Sequence, residues 1–280
     1  MKKRGCSERP AARLPAAPRV ERTSLERRSP LSSPLEIRTL TTPQELFEAA
    51  AEEVVRCAKE AVTQRGRFSI ALSGGSTPKS LFNLLATNAR TVFPWDRTFF
   101  FWSDERHVPP TDPDSNYRMA EETMLSKIPV AATNVFRMPA ENPDAAAAAE
   151  AYEQTLRKFF QLEAGQVPIF DLILLGMGPD GHTASLFPNS PGLQEKTHLV
   201  IANWVDKLKT SRLTMTLPVL NAARCVAFLV SGTDKATVLR TVLEEDASPE
   251  QYPSKLVRPT NGRLIWFVDR AAASELSSRN

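Results

Sequence analysis

Hydrophobic and polar positions follow a repeating unit along this chain: a short apolar run, a polar or glycine-containing loop, and then a helical pattern. The apolar runs are nearly continuous, which is typical of strands whose two faces are both covered by helices. This alternation predicts an α/β fold with a doubly wound, mainly parallel sheet flanked by helices. The clearest strands are Phe68–Ser73, Thr98–Trp102, Phe170–Leu175 and Cys225–Val230. Because ligands bind outside the carboxyl ends of such strands, we expect the four following loops to converge on one site.

Capping signals mark the first helix. Thr42 is the expected N-cap, Pro43 takes the first helical position and Glu45 completes a capping box, while Gly66 ends the apolar face. An alternating strand, Leu35–Leu40, precedes this helix. Further expected elements are a helix from Asn142-Pro143 to about Leu162, a helix opened by residues 114–118, and strands at His198–Asn203 and Leu213–Leu217.

Charge is unevenly distributed along the 280 residues, whose net charge is +3. Residues 1–34 hold nine Lys and Arg against three Glu, a net of +6, so the remainder carries a net of −3. We expect residues 1–34 to be a disordered basic extension, because they are rich in Pro, Arg, Ser and Ala and lack apolar periodicity. An organelle transit peptide and a dispensable extension are the alternatives. Residues 35–280 are predicted to form a single α/β catalytic domain without the basic stripe of a nucleic-acid binder.

The three cysteines, Cys6, Cys57 and Cys225, have no metal-binding spacing. We interpret Cys57 and Cys225 as small buried apolar residues, which is typical of a reducing compartment. No apolar run approaches the ~20 residues that span a bilayer. We therefore expect a cytoplasmic protein, or one targeted to an organelle through residues 1–34, with no membrane partner. We expect it to be a monomer or a weak homo-oligomer.

The loop after the first of the four strands is a candidate anion site. Its glycines permit a tight turn, and Pro78 marks a helix whose free N–H groups attract a phosphate. Ser76 or Thr77 is the expected cap of that helix. The alternative is a serine-capped turn without a ligand. The expected substrate-binding residues here are Ser73, Gly74, Gly75, Ser76 and Thr77.

Three consecutive ionisable residues, Asp104, Glu105 and Arg106, follow the second strand. Arg106 is suited to clamp a phosphate through two parallel hydrogen bonds, and Asp104 to accept hydrogen bonds from sugar hydroxyls. The alternative is a solvated surface turn with an internal Asp–Arg pair. His107, next to Val108 and two prolines, is expected to be structural.

The third loop carries the glycines of a G-x-G-x-x-G pattern, at positions 176, 178 and 181. A dinucleotide site is nevertheless rejected, because Pro179 lacks a backbone donor and Asp180 places negative charge where a pyrophosphate would lie.

His182, in the same loop, is the candidate catalytic residue. A histidine can take a proton from water at neutral pH, and the neighbouring Asp180 can orient it and stabilise the imidazolium. The alternative is a histidine that only hydrogen-bonds its own loop, as we expect for His198 at a strand start. Arg212, before a strand, and Lys235, at a helix start, are candidates to neutralise a phosphate or, alternatively, are surface charges. Residues 207 and 209 are interpreted as surface lysines.

Three of these segments together resemble the 6-phosphogluconolactonase family: SGGSTPKSL at residues 73–81, FWSDERHVPPTDPDSNYRM at 101–119 and LLGMGPDGHTASLFP at 174–188. Weaker similarity extends the resemblance to roughly residues 35–276. It implies a glucosamine-6-phosphate deaminase-like fold and a hydrolase without metal or cofactor. The implied reaction opens a phosphorylated sugar lactone, 6-phosphoglucono-δ-lactone, to 6-phosphogluconate in the oxidative pentose phosphate pathway.

Two other functions stay open. The related glucosamine-6-phosphate deaminases share the Ser-Gly-Gly loop and the Asp-Gly-His core, but typically differ at Arg106 and after His182. A non-catalytic sugar-phosphate sensor would need a DNA-binding module, for which residues 1–34 are too short and irregular.

Overall fold

The computed structural model describes residues 35–277, and the expectation for residues 1–34 lies outside this range. The strands are β1 (Leu35–Leu40), β2 (Phe68–Leu72), β3 (Thr98–Trp102), β4 (Asp104–Arg106), β5 (Leu172–Gly176), β6 (Val200–Val205), β7 (Thr210–Met215), β8 (Cys225–Val230) and β9 (Arg263–Asp269). The α-helices are α1 (Pro43–Arg65), α2 (Ser76–Asn88), α3 (Asn116–Thr123), α4 (Ala145–Phe160), α5 (Leu217–Ala222) and α6 (Ala236–Glu244).

Six strands form the main sheet in the order β1-β9-β8-β5-β2-β3, and every pairing is parallel. After β2 the chain adds β3 on one side. It then crosses back to place β5 on the other side of β2, and β8 and β9 continue in that direction. The winding therefore reverses between β2 and β5, where a doubly wound sheet opens a crevice. The expected fold class is confirmed.

A second, three-stranded antiparallel sheet has the order β4-β7-β6 and corrects two expectations. Asp104 to Arg106 is a strand that pairs with β7 and is not a loop. Arg212 lies inside β7 and does not precede a strand, and Leu217 begins α5 instead of ending a strand. The main-chain groups of these segments hydrogen-bond to one another, and a pattern of single residues does not reveal such distant partners.

The first helix forms as its capping residues predict. The Thr42 hydroxyl accepts a hydrogen bond from the Glu45 N–H at 3.2 Å, and Gly66 closes the helix with φ of 72°. The Glu45 carboxylate accepts from the Thr41 N–H at 2.8 Å, one residue earlier than a capping box requires. No helix within residues 35–277 is long and apolar enough to cross a bilayer.

Other elements of the structure differ from the predicted ones in where they begin or in being present at all. Helix α4 begins at Ala145, because the Asp144 carboxylate caps it by accepting from the N–H groups of Ala146 and Ala147. Helix α2 has Gly75 as its N-cap, with φ of 106°, so the prediction that Ser76 or Thr77 caps it was wrong. Strand β9, which pairs with both β1 and β8, was not predicted, although its residues are nearly all buried.

Glu53 is a buried carboxylate on the face of α1 that packs against the main sheet, with 3 % of its surface exposed. It accepts hydrogen bonds from Arg56 at 2.6 Å and from Arg263 at 2.7 Å. Burial raises the pKa of Glu53, but the two arginines outweigh burial and lower it from 4.5 to about 2. A carboxyl group whose pKa is lower in the folded than in the unfolded state stabilises the protein at pH values above its unfolded pKa. For Glu53 this stabilisation is lost as the pH falls towards 2.

Replacing Glu53 with glutamine is expected to lower the free energy of unfolding at neutral pH by roughly 2 kcal/mol, because Arg56 and Arg263 lose a buried carboxylate partner. Urea unfolding of both proteins at neutral pH and at about pH 3 measures this. The difference should shrink in acid, where the native protein loses the same stabilisation. Glu52→Gln, an exposed neighbour, is the control. A difference that stays constant with pH would show that the carboxylate charge is not its source.

Candidate active site

A cavity of about 220 Å³ lies at the carboxyl ends of the parallel strands, next to the crevice between β2 and β5. The loops after β2, β5 and β8 reach it, and so does β4, which follows β3. Their position at the strand ends requires this. Nine of the eleven candidate residues line it: Ser73, Gly74, Gly75, Ser76, Thr77, Asp104, Arg106, His182 and Lys235. Asp180 and Arg212 do not line the cavity, but each adjoins a residue that does.

The first loop presents hydrogen-bond donors to this cavity. Ser76 and Thr77 are the first residues of α2, so their N–H groups have no acceptor within the helix. The Ser73 hydroxyl is buried and has no hydrogen-bond partner in residues 35–277. A buried hydroxyl without a partner is costly, and a ligand oxygen in the cavity would satisfy it.

Gly74 is required here because another side chain fills the space that its own would occupy. A Cβ atom at Gly74 would lie 1.8 Å from Oδ1 of Asn116. Asn116 lines the cavity and donates to the Asp104 carbonyl at 2.9 Å, which ties α3 to β4. The sequence pattern predicts only that Asn116 lies at the opening of a helix. Nothing in that pattern shows that this residue meets the glycine turn.

Arg106 and Arg212 form an adjacent pair of guanidinium groups. They stand directly opposite each other in the antiparallel β4–β7 pairing, which places their side chains on the same face. Neither has a carboxylate within salt-bridge distance among the residues described, and the Arg212 Nε is buried without a partner. Burial, and then the positive charge of Arg106, lower the pKa of Arg212. Two like charges held together in this way attract an anion.

Glu105 and Asp104, the two acids next to Arg106, have different hydrogen-bond partners. Glu105 is 2 % exposed and accepts from the N–H groups of Asn116 and Tyr117 at 2.7 and 2.8 Å, so it fixes the start of α3. Burial raises its pKa in spite of these bonds. Asp104 faces the cavity and accepts from the Ser185 hydroxyl at 2.8 Å. The alternative of a solvated turn is therefore wrong, and no ion pair joins Asp104 to Arg106 in the described part of the chain.

His107 and Lys235 occupy the edges of this region. The His107 Nε2 lies 2.6 Å from the Asn142 carbonyl, as expected of a structural histidine. Lys235 is 20 % exposed, lines the cavity and pairs with Asp234 at 3.0 Å. Lys235 therefore brings a partly compensated positive charge to the same side as the arginine pair.

His182 is held by its own loop and by Phe187. Its Nδ1 lies 2.5 Å from an oxygen of Asp180, and its ring stacks on Phe187 with 4.4 Å between the centroids. The other ring nitrogen, Nε2, has no hydrogen-bond partner among the described residues. Because the side chain is 25 % exposed and lines the cavity, Nε2 is available to a water molecule there.

Asp180 contacts a lysine in addition to His182. Lys207, from the turn between β6 and β7, contacts the other Asp180 oxygen and lies 4.8 Å from the centre of the Phe187 ring. Burial raises the pKa of Asp180, but hydrogen bonds from His182 and Lys207 outweigh it and hold the pKa well below its ordinary value. Lys207 is 53 % exposed and is therefore a surface lysine as expected, although its pairing with Asp180 was not predicted. Lys209 is exposed, as expected.

The glycines around His182 accommodate its ring instead of a dinucleotide. A Cβ atom at Gly178 would lie 2.0 Å from the His182 Nδ1, and one at Gly181 would lie 2.8 Å from Tyr252. Ser254 holds the turn by donating to the Gly181 carbonyl at 2.9 Å. No α-helix follows this loop before β6, so the pattern lacks the helix that a dinucleotide site needs.

Replacing Gly178 with alanine is expected to displace the His182 ring. The kcat of a reaction that uses His182 should then fall roughly tenfold, because a small misplacement of a reacting group raises the activation barrier. Steady-state kinetics and thermal unfolding of the variant would measure the two effects separately. Gly165→Ala is the control, since a Cβ there meets nothing within 4 Å, although φ of +79° makes it strained. Equal loss of activity in both variants would attribute the effect to backbone strain and not to His182.

The family model described as glucosamine-6-phosphate isomerases/6-phosphogluconolactonase matches residues 41–266. The chain belongs to this family. A Synechocystis protein named 6-phosphogluconolactonase is 42 % identical to it, over 86 % of this chain and 98 % of that protein.

Solved structures of the isomerase/lactonase family have the same fold. The 6-phosphogluconolactonase of Trypanosoma brucei is 31 % identical, with a TM-score of 0.79 over 88 % of this chain and 100 % of that one. A monomeric glucosamine-6-phosphate deaminase has a TM-score of 0.69 over 86 % of this chain and 99 % of that one, at 23 % identity. The deaminase likeness shows the fold alone, so the two branches of the family are to be separated by their chemistry.

Proposed function

We propose that this chain hydrolyses 6-phosphoglucono-δ-lactone to 6-phosphogluconate, a step of the oxidative pentose phosphate pathway. One observation carries the proposal: His182, which is bonded to Asp180, lines the same cavity as the N-terminus of α2 and Arg106. A phosphorylated substrate needs the second feature, and attack by water needs the first. The relatives named for this activity support the same conclusion.

The phosphate would be held at the far end of the cavity from His182. Its oxygens would accept from the N–H groups of Ser76 and Thr77, with Arg106, Arg212 and Lys235 neutralising its charge. Binding a remote group in this way fixes the position of the lactone carbonyl. Positioning alone can contribute substantially to lowering the barrier.

The chemical step would begin at the free nitrogen of His182. Nε2 takes a proton from water as the water oxygen attacks the lactone carbonyl carbon, and Asp180 stabilises the imidazolium that forms. The tetrahedral intermediate then collapses, the bond from that carbon to the ring oxygen breaks, and His182 returns the proton to the departing oxygen. The products are the open-chain acid and the unchanged enzyme.

One pair of assays tests the proposal against both alternatives. The purified full chain would be given freshly prepared lactone, with acid release followed above the spontaneous rate, and separately glucosamine 6-phosphate, with ammonia release measured. Faster lactone hydrolysis without ammonia release is the expected result. Ammonia release would assign the chain to the deaminases. Tight sugar-phosphate binding without either activity would indicate a sensor.

Residues 35–280 are proposed to act as one catalytic domain, as a monomer or weak homo-oligomer in the cytoplasm, without a membrane or nucleic-acid partner. An organelle location directed by residues 1–34 is the alternative. Deleting residues 1–34 is expected to leave kcat and KM for the lactone unchanged, because every candidate site residue lies after them. A changed KM in the shortened chain would show that the extension contributes to the site.

A further inference from the structure

Two thiols lie next to each other at the end of the main sheet opposite the candidate active site. Cys57 is on the buried face of α1, and Cys225 is the first residue of β8. Both are buried, with 7 % and 3 % of their surfaces exposed. Their sulfur atoms and an oxygen of Glu53 lie within 4.8 Å of one another. The sulfur atoms of a disulfide are about 2.05 Å apart, so the two side chains must turn towards each other for the bond to form.

The surroundings make the two sulfurs unequal. The Cys57 thiol donates to a Glu53 oxygen at 3.5 Å, whereas Cys225 has no carboxylate acceptor within residues 35–277. The contact between the two thiols raises the pKa of Cys57 and lowers that of Cys225, in spite of the burial of Cys225. The positive charge of Arg263 also lowers the pKa of Cys225. Because Glu53 holds the proton of Cys57, Cys225 is the better attacking sulfur and Cys57 is the second, resolving thiol.

The pair lies at the wall of a cavity. Both cysteines line a cavity of about 670 Å³, within the range of small-molecule pockets. Its wall holds five arginines and four carboxylates, and the arginines offer hydrogen-bond donors to the carboxylates of a reagent. An anionic disulfide is favoured there over a cationic one.

The same groups make a poor metal site. The Glu53 carboxylate is already bound by Arg56 and Arg263, whose positive charges oppose a cation. Without Glu53 only two sulfurs remain, whereas structural zinc takes four protein ligands. The arrangement therefore favours sulfur chemistry over metal binding.

We propose that Cys57 and Cys225 are a redox-active dithiol, which small anionic disulfides such as oxidised glutathione convert to an intramolecular disulfide. The Cys225 thiolate attacks one sulfur of the reagent and expels the other as a thiolate, which gives a mixed disulfide. Cys57 then loses its proton to solvent and attacks the Cys225 sulfur, and the second glutathione leaves as a thiolate. The protein loses two electrons, which reduce one glutathione disulfide to two thiols.

The resulting bond joins α1 to β8 at their shared contact. His182 and the anion site lie beyond the opposite ends of the strands, so the proposal does not depend on the proposed function. Sequence spacing could not reveal the pair, because residues 57 and 225 meet only when α1 packs on the sheet.

The test uses the full folded chain carrying Cys6→Ser, which removes the third thiol. After reduction it is incubated with oxidised glutathione and analysed by intact mass and by mapping of non-reduced peptides. The expected result is the loss of two hydrogens, the loss of both titratable thiols, and a peptide pair joined through Cys57 and Cys225. No reaction of the folded chain would overturn the proposal, as would a wild-type product that stays a stable glutathione adduct.

Two variants separate the roles of the sulfurs. Cys57→Ser is expected to accumulate one glutathione on Cys225, because the resolving thiol is gone. Cys225→Ser is expected to react about tenfold or more slowly, since the remaining thiol is buried and donates its proton to the Glu53 carboxylate. Equal rates in both variants would contradict the assignment of Cys225 as the attacking sulfur. Incubation with zinc is the last arm, and one tightly held ion that blocks oxidation would assign the pair to metal binding instead.

Discussion

Replacing His182 with alanine is expected to lower kcat for lactone hydrolysis by about 10²- to 10⁴-fold, the usual contribution of a general base. The phosphate contacts come from other elements, so binding of 6-phosphogluconate should change little. Steady-state kinetics corrected for spontaneous hydrolysis gives the first quantity, and calorimetric titration with 6-phosphogluconate gives the second. A large loss in kcat with retained binding separates a catalytic group from a group that only binds substrate.

The chain offers a matched control for this experiment. His198 is 64 % exposed, lies near Glu153 and does not line the cavity, so His198→Ala should keep full activity. Unchanged turnover in the His182 variant would remove the general-base assignment. Loss of 6-phosphogluconate binding in that variant would instead place His182 among the binding residues.

The candidate site was predictable from sequence where its residues act through their own loops. Asp180 and His182 are two residues apart, so their contact is local and a short pattern is sufficient to predict it. The turn at Gly74 and Gly75 is likewise a local property of the backbone. The strand ends that carry these loops follow from apolar runs, which is why the fold class was also predictable.

Contacts between distant segments were not predictable. Arg106 and Arg212 become neighbours only because β4 and β7 pair, and neither strand was expected at its actual boundaries. Lys207 reaches Asp180 from the turn between β6 and β7, which places a lysine beside the candidate pair of Asp180 and His182. Asn116 meets Gly74 from the start of α3, and a single sequence gives no signal for such a contact.

The two sheets therefore have different parts in the proposed mechanism. The main sheet supplies His182, Asp180 and the helix terminus after β2, all of which depend on strand ends of a doubly wound fold. The small sheet supplies the arginine pair, which in the proposal selects a negatively charged substrate. A change in the small sheet should accordingly alter which lactones are accepted more than it alters the chemistry at the carbonyl.

Replacing Arg106 with alanine tests this division. We expect kcat/KM for the phosphorylated lactone to fall about 10- to 100-fold, which is the loss of one or two charge-assisted hydrogen bonds. The rate with the unphosphorylated lactone should change little, so discrimination between the two substrates should fall by a similar factor. Kinetics with both lactones, each corrected for its spontaneous hydrolysis, measures that ratio directly.

Arg212 limits the size of this effect. It keeps one guanidinium on the same face, and removing Arg106 also removes the like charge that lowers the pKa of Arg212. Arg106→Lys should be intermediate, because it restores the charge without the planar fork that binds two oxygens. Arg97→Ala, an exposed arginine that pairs with Asp96, is the control for loss of a positive charge. If the Arg106 variant kept its preference for the phosphorylated substrate, the phosphate would be held by the helix terminus and Lys235 alone, and the arginine pair would have another role.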